Sequence, residues 1–129
     1  MAWVDVVGLL AIVQLFVFGA LVGRARGTYG VPAPATTGHP MFERYHRVQV
    51  NTVESLLVFL PALWLAAKYW SPKYAAILGV IYLVGRVVYL RAYVSDPKTR
   101  SLGFSMSMLP ALVLVVAALV GAIRELLRG

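Results

Sequence analysis

Four apolar runs, each about long enough to cross a lipid bilayer as a helix, leave this chain few folds to choose from. Backbone amides and carbonyls find no water in hydrocarbon, so a spanning segment must satisfy its own hydrogen bonds. About 20 mostly apolar residues do this as an α-helix. The first run, Val6 to Val22, predicts a span over about residues 4–23. The second is expected over about 42–69, with no charge between Glu54 and Lys68. The third and fourth are expected over about 74–94 and 102–123. The expected fold is therefore all-α, a single four-span membrane domain over residues 1–129 arranged as a four-helix bundle. Composition agrees: 13% of residues are charged, about half the share in a soluble domain.

The segments between the runs follow from local chemistry. Arg24 and Arg26 are expected to close the first helix. Gly27 to Pro40, rich in glycine and proline, then reads as a loop. Pro61 and Pro110 lie inside the second and fourth spans, and a kink is expected at Pro61. The first run lacks the basic flank of a signal peptide and is too long for one. Gly19 and Gly23 permit close helix approach.

The net charge of +7 sits beside the apolar runs, as membrane anchors do, and no basic tract interleaved with aromatics appears in a soluble stretch. Nucleic-acid binding is therefore set aside. Arg24, Arg26, Arg44, Arg47, Arg91, Lys98 and Arg100 flank the first and third loops; Lys68, Lys73, Arg124 and Arg128 flank the other surface. The positive-inside bias puts loops 24–41 and 95–101 in the cytoplasm and both termini outside. With no cysteine, the chain has no disulfide, thiolate metal site or thiol nucleophile, so any thiol must arrive on a ligand.

Arg47, Asn51 and Glu54 recur at four and three residues, which places them within roughly 60° on one helical face. Such groups at membrane depth are costly and mark a functional site by default. Tyr82, Arg86, Tyr89 and Tyr93 form a second stripe on the third span. Antiparallel neighbours bring the two stripes to similar depth at the cytoplasmic end. Arginine forks bind carboxylates, Glu54 accepts from an ammonium, Asn51 donates and accepts, and tyrosines donate from an apolar body. This inventory suits a small anion with an amine and two carboxylates, with an apolar co-substrate arriving from membrane lipid.

Plainer readings stand beside this one. The Arg47–Asn51–Glu54 stripe could be an interhelical clamp, and Tyr89 and Tyr93 an interface belt. Tyr82 reads best as packing, Arg100 could be a topology charge, and Arg24 and Arg91 read as surface anchors. Arg86 could equally pair with a carboxylate or touch ligand. His39 and His46 have no third ligand at metal spacing and read as solvated, so no metal site is expected. Ser105 and Ser107 are expected to bond back to the helix.

The run Phe42-Glu43-Arg44-Tyr45-His46-Arg47-Val48-Gln49-Val50-Asn51-Thr52-Val53-Glu54 resembles the signature of the membrane-associated proteins in eicosanoid and glutathione metabolism, the MAPEG family. Pro34-Ala35-Thr36-Thr37-Gly38 before it, and Phe59 to Trp64, Leu78 to Tyr82, Gly85-Arg86, Tyr89 and Tyr93 after it, keep the family's spacing. The resemblance covers roughly residues 24–105. It implies a homotrimer of four-helix subunits that binds glutathione as co-substrate between neighbours. It assigns glutathione binding to Arg47, Asn51, Glu54, Tyr89 and Tyr93, with Arg26 and Gln49 contributing. It gives Arg100 the catalytic role of stabilising the thiolate, which then attacks a lipophilic electrophile.

Two departures weaken the likeness to the leukotriene-forming synthases. Ser55 stands where they have a tyrosine, and Gly27 follows Arg26 where they have paired arginines. The expectation is thus a membrane glutathione transferase, with glutathione peroxidase activity in view. The rivals are a non-catalytic lipid-binding scaffold of the same family and a small proton-coupled exporter with Glu54 as carrier. Such exporters place the key carboxylate in their first span, and here that span has no internal acid.

Overall fold

A computed structural model describes residues 1–129. Four helices carry the chain: α1 (Ala2–Tyr29), α2 (Pro40–Tyr69), α3 (Pro72–Ser95) and α4 (Ser101–Arg128), with one 3₁₀ turn at Pro97–Thr99. All four are long and apolar enough to cross a membrane, and there are no strands.

The ends are set by local hydrogen bonding. α2 and α3 each begin with proline, whose missing N–H costs nothing in a first turn. His39 caps α2: its Nδ1 accepts from the Met41 N–H at 3.1 Å, and its ring stacks on Tyr29 at 4.4 Å. The expectation of a solvated His39 is therefore corrected. Asp96 ends α3 and starts the 3₁₀ turn, its carboxylate accepting from the Lys98 N–H at 3.1 Å.

α1 also departs from expectation. It does not stop at Arg24 or Arg26 but runs to Tyr29 through Gly27. Arginines mark where a helix leaves hydrocarbon, not where its hydrogen bonds end. The stop is Gly30, left-handed at φ 68°, and its N–H and that of Val31 both bond to the Arg26 carbonyl. Val31 folds back into a small cluster with Val22, Ala25 and Phe42. The loop is thereby shortened to residues 30–39.

α2 and α3 pack against each other and against both outer helices, α1 on one side and α4 on the other. The main core, away from the α1–α2 loop, interleaves alanines with larger groups: Ala62, Ala66 and Ala67 of α2, Ala75 and Ala76 of α3, and Ala111 and Ala118 of α4 surround Phe59, Leu63 and Leu114. Small residues let helices approach where lipid supplies no hydrophobic drive between them. α3 and α4 come closest: a Cβ at Gly85 would lie 2.7 Å from the Met106 and Ser107 backbone, and one at Gly103 would meet the Tyr89 backbone. Ser107 bonds back to the Gly103 carbonyl at 3.0 Å, as expected. Outward faces stay apolar, with Phe16 and Leu57 each 74% exposed, a surface suited to lipid.

Candidate functional site

Glu43, His46, Arg47, Val50, Asn51 and Glu54 recur at three, one, three, one and three residues, so they share one face of α2. That face, the end of α3 and the head of α4 enclose an open cleft of about 640 Å³. Arg47, Asn51 and Glu54 line it from α2, Tyr89 and Tyr93 from α3, and Arg100 from the start of α4. Thr36 and Thr37 of the α1–α2 loop close one side. The loop is tied down by Glu43, whose carboxylate accepts the Gly38 N–H at 3.3 Å.

Six of the eight residues expected at the site thus meet in one cavity, and Arg26 and Gln49 do not. The Arg26 guanidinium donates to the Ala35 carbonyl at 2.7 Å and lies over the Phe42 ring at 4.7 Å. Gln49 is two residues from both Arg47 and Asn51, about 200° round the helix. Its amide nitrogen sits against Gly19 of α1, 3.0 Å from where a Cβ would stand. Within one chain these two residues belong to the α1–α2 side.

Five lining residues went unassigned in the sequence: Thr36, Thr37, Glu43, His46 and Val50. Extending the Arg47–Asn51–Glu54 period one turn back reaches Glu43, so that signal was present; His46, about 100° round the helix from Arg47, lay outside it. His46 is half-buried, with its ring beside Phe42 at 5.8 Å, and is not a solvated surface histidine.

Arg86 neither pairs with a carboxylate nor lines the cleft. It is completely buried. Its Nη1 donates to Asn51 Oδ1 at 2.8 Å and to Ser55 Oγ at 3.2 Å, and its guanidinium lies 4.4 Å from the centre of the Tyr89 ring. Nε and Nη2 have no protein partner. A guanidinium can only donate, so Asn51 must turn its oxygen to Arg86 and keep its amide for the cleft.

Ser55, one of the departures noted above, is buried beneath the cleft. Its hydroxyl donates to the Thr52 carbonyl at 2.9 Å, so it accepts from both Arg86 and the Tyr82 hydroxyl, the latter at 2.6 Å. Tyr82 stacks face to face on Phe59, centroids 3.8 Å apart. The third-span stripe therefore divides. Tyr82 and Arg86 form a buried floor, and Tyr89 and Tyr93 reach the cavity.

Arg100 owes its place to the turn before it. Thr99 Oγ1 donates to the Ala92 carbonyl at 3.2 Å and the Asp96 carbonyl at 2.8 Å, and Arg100 Nη1 donates to the Pro97 carbonyl at 2.8 Å. These bonds fold the 3₁₀ turn over the end of α3, so that α4 begins at the cleft. The helix N-terminus and the guanidinium then favour negative charge at the same place.

Residues 5–120 match the MAPEG family. The chain is 45% identical over 124 residues to an uncharacterized protein of Synechocystis sp., covering 96% of this chain and 90% of that one. It is 38% identical over 117 residues to microsomal glutathione S-transferase 2 of Homo sapiens, covering 91% and 78%. It is 40% identical over 102 residues to leukotriene C4 synthase of Cavia porcellus, covering 74% and 68%. Since the match reaches into every helix and takes in the whole lining of the cleft, this chain is an integral, multi-pass membrane protein belonging to the MAPEG family.

Proposed function

We propose that the protein is a membrane glutathione transferase that conjugates lipophilic electrophiles, and reduces lipid hydroperoxides where one is the electrophile. Two kinds of relative, named as a glutathione S-transferase and a leukotriene C4 synthase, support this reading. The observation that carries it is the meeting of Arg47, Asn51, Glu54, Tyr89, Tyr93 and Arg100 in one cleft. Its volume falls in the range of cavities that take small organic ligands.

The donor set fits the tripeptide. Arg47 offers a fork for a carboxylate, Glu54 accepts from the α-ammonium, the Asn51 amide donates to a carbonyl or carboxylate, and the tyrosine hydroxyls fix orientation. Arg100 and the head of α4 hold negative charge at the sulfur. A nearby cation favours the thiolate, and each pKa unit lowered gives about ten times more of it at neutral pH. The thiolate attacks an electrophilic carbon: the C–S bond forms and halide leaves, or an epoxide C–O bond breaks and the alkoxide takes a proton from water. With a hydroperoxide, sulfur attacks the outer oxygen and the O–O bond breaks, giving a glutathione sulfenic acid and an alkoxide that takes a proton from water to leave as the lipid alcohol. A second glutathione then gives the disulfide and water.

Arg26 and Gln49 lie on the α1–α2 side, apart from the cleft of their own chain, where a neighbouring copy could bring its cleft to them. This supports a homotrimer with glutathione held between subunits. The excess of basic residues at the cleft end supports a cytoplasmic site with both termini on the other side.

The test is conjugation of glutathione to an aryl halide by the purified protein, with calorimetric titration of glutathione alone. Turnover that falls at least tenfold in Arg100→Ala supports the proposal. Absence of glutathione binding with retained lipid binding would replace it with the scaffold reading.

A further inference from the structure

A second basic site lies at the same end of the molecule, behind the cleft. Two adjoining hollows, about 420 and 160 Å³, share Leu21 of α1 and Tyr45 of α2 as a common wall. Leu90 and Val94 of α3 line the larger one beside Arg44 and Arg91. Arg24 and Thr28 of α1 line the smaller one. Three arginines from three different helices thus gather round one tyrosine.

No carboxylate lines either hollow. The chain has five acids, and each is placed elsewhere. Asp5 accepts from the Trp64 indole at 2.8 Å, Asp96 holds the 3₁₀ turn, Glu43 and Glu54 line the other cleft, and Glu125 is near the far end of α4. The arginines therefore have no internal counter-charge. Arg44 is fixed in place, donating through Nη1 to the Val94 and Ser95 carbonyls at 2.8 and 3.3 Å, where the C-terminus of α3 favours a cation.

Depth is as informative as charge. Leu21 lies one turn toward the bilayer centre from Arg24, and Leu90 one turn from Val94. The floor is apolar and the rim cationic, in the order an acyl chain and its head group require. A soluble anion would make no use of the apolar floor. Basic pockets between spanning helices at a membrane surface recognise anionic head groups.

We propose that this groove binds an anionic phospholipid, with its phosphate among Arg24, Arg44 and Arg91 and one acyl chain along Leu21 and Leu90. Charge complementarity selects the head group, and the floor selects lipid over a free ion.

The experiment is native mass spectrometry of delipidated full-length protein titrated with phosphatidylglycerol, phosphatidylcholine or inorganic phosphate. The wild type should retain phosphatidylglycerol in preference to phosphatidylcholine, by about fivefold for each contributing arginine. Arg24→Gln with Arg91→Gln should remove most of that preference, with Arg44 left to hold α3. Arg124→Gln with Arg128→Gln, at the opposite end, should not. Leu90→Trp, which fills the floor and leaves every charge, should also reduce retention. Circular dichroism confirms that each variant is folded. Equal retention of the two lipids overturns the proposal, as does an unchanged preference in the Arg24/Arg91 variant or displacement of the lipid by inorganic phosphate.

Discussion

Arg86 holds Asn51 by its side-chain oxygen at 2.8 Å, a charged donor fixing the orientation of a neutral amide at the edge of the cleft. Neither residue could be given this relationship by spacing alone. It converts Asn51 from a group that could accept or donate into one that presents only N–H to a ligand.

Asn51→Asp separates that role from structural support. The carboxylate still accepts from Arg86, now as a charge-assisted bond, so thermal stability should be equal or higher. The donor toward the cleft is lost. Glutathione affinity, read by calorimetry, should fall about ten- to a hundredfold, the weight of a hydrogen bond to a charged group. Unchanged affinity would show that the Asn51 amide does not touch the ligand.

Arg100→Ala should move the pH dependence of conjugation as well as its size. The guanidinium favours the thiolate and so lowers the thiol pKa of bound glutathione; without it that pKa rises toward its ordinary value near 8.5. The rate midpoint of the variant should move up by about one unit or more, with the largest deficit at neutral pH and partial recovery in alkali. A uniform loss at every pH would leave Arg100 a binding group only.

Gly103→Ala tests the contact that brings Arg100 to Tyr89. A methyl group there meets the Tyr89 backbone, which cannot rotate away. α4 must shift, at a cost of about 1–3 kcal/mol, and both thermal stability and glutathione affinity should fall together. Gly23→Ala is the control, since nothing stands within 4 Å of its added Cβ. It should be neutral or stabilising by up to about 1 kcal/mol.

The absence of native cysteine makes orientation directly measurable. Single cysteines at Lys98 and Lys73, labelled with an impermeant maleimide in intact cells and in inverted vesicles, should react from opposite sides. The Lys98 position should react only in inverted vesicles. Reversed labelling would place the cleft on the outer side.

Glu54→Gln should weaken glutathione binding by removing the acceptor for its ammonium, with no effect on proton-driven export in proteoliposomes. Export abolished by this substitution would revive the transporter reading.

Four spans, an all-helical fold and a polar face on the second span were legible because each is periodic. Hydrocarbon rewards about 20 apolar residues in a row, and a helix returns to the same face every three to four residues. Arg47, Asn51 and Glu54 needed nothing more, nor did Tyr89 and Tyr93 on the third span, whereas the place of Arg100 came with the family resemblance. Where a helix ends was less legible. Arg24 and Arg26 signal the membrane surface, while the stop at Gly30 depends on its left-handed backbone and on Val31 packing against Phe42. Tertiary structure alone decided that Arg86 would have an amide and a hydroxyl as partners, that Ser55 would lie under the cleft, and that Arg26 and Gln49 would face away from it. Sequence periodicity ranks residues around their own helix axis. Which face meets which neighbour is set by how closely two backbones approach, and here bare glycines at positions 85 and 103 set that distance between α3 and α4.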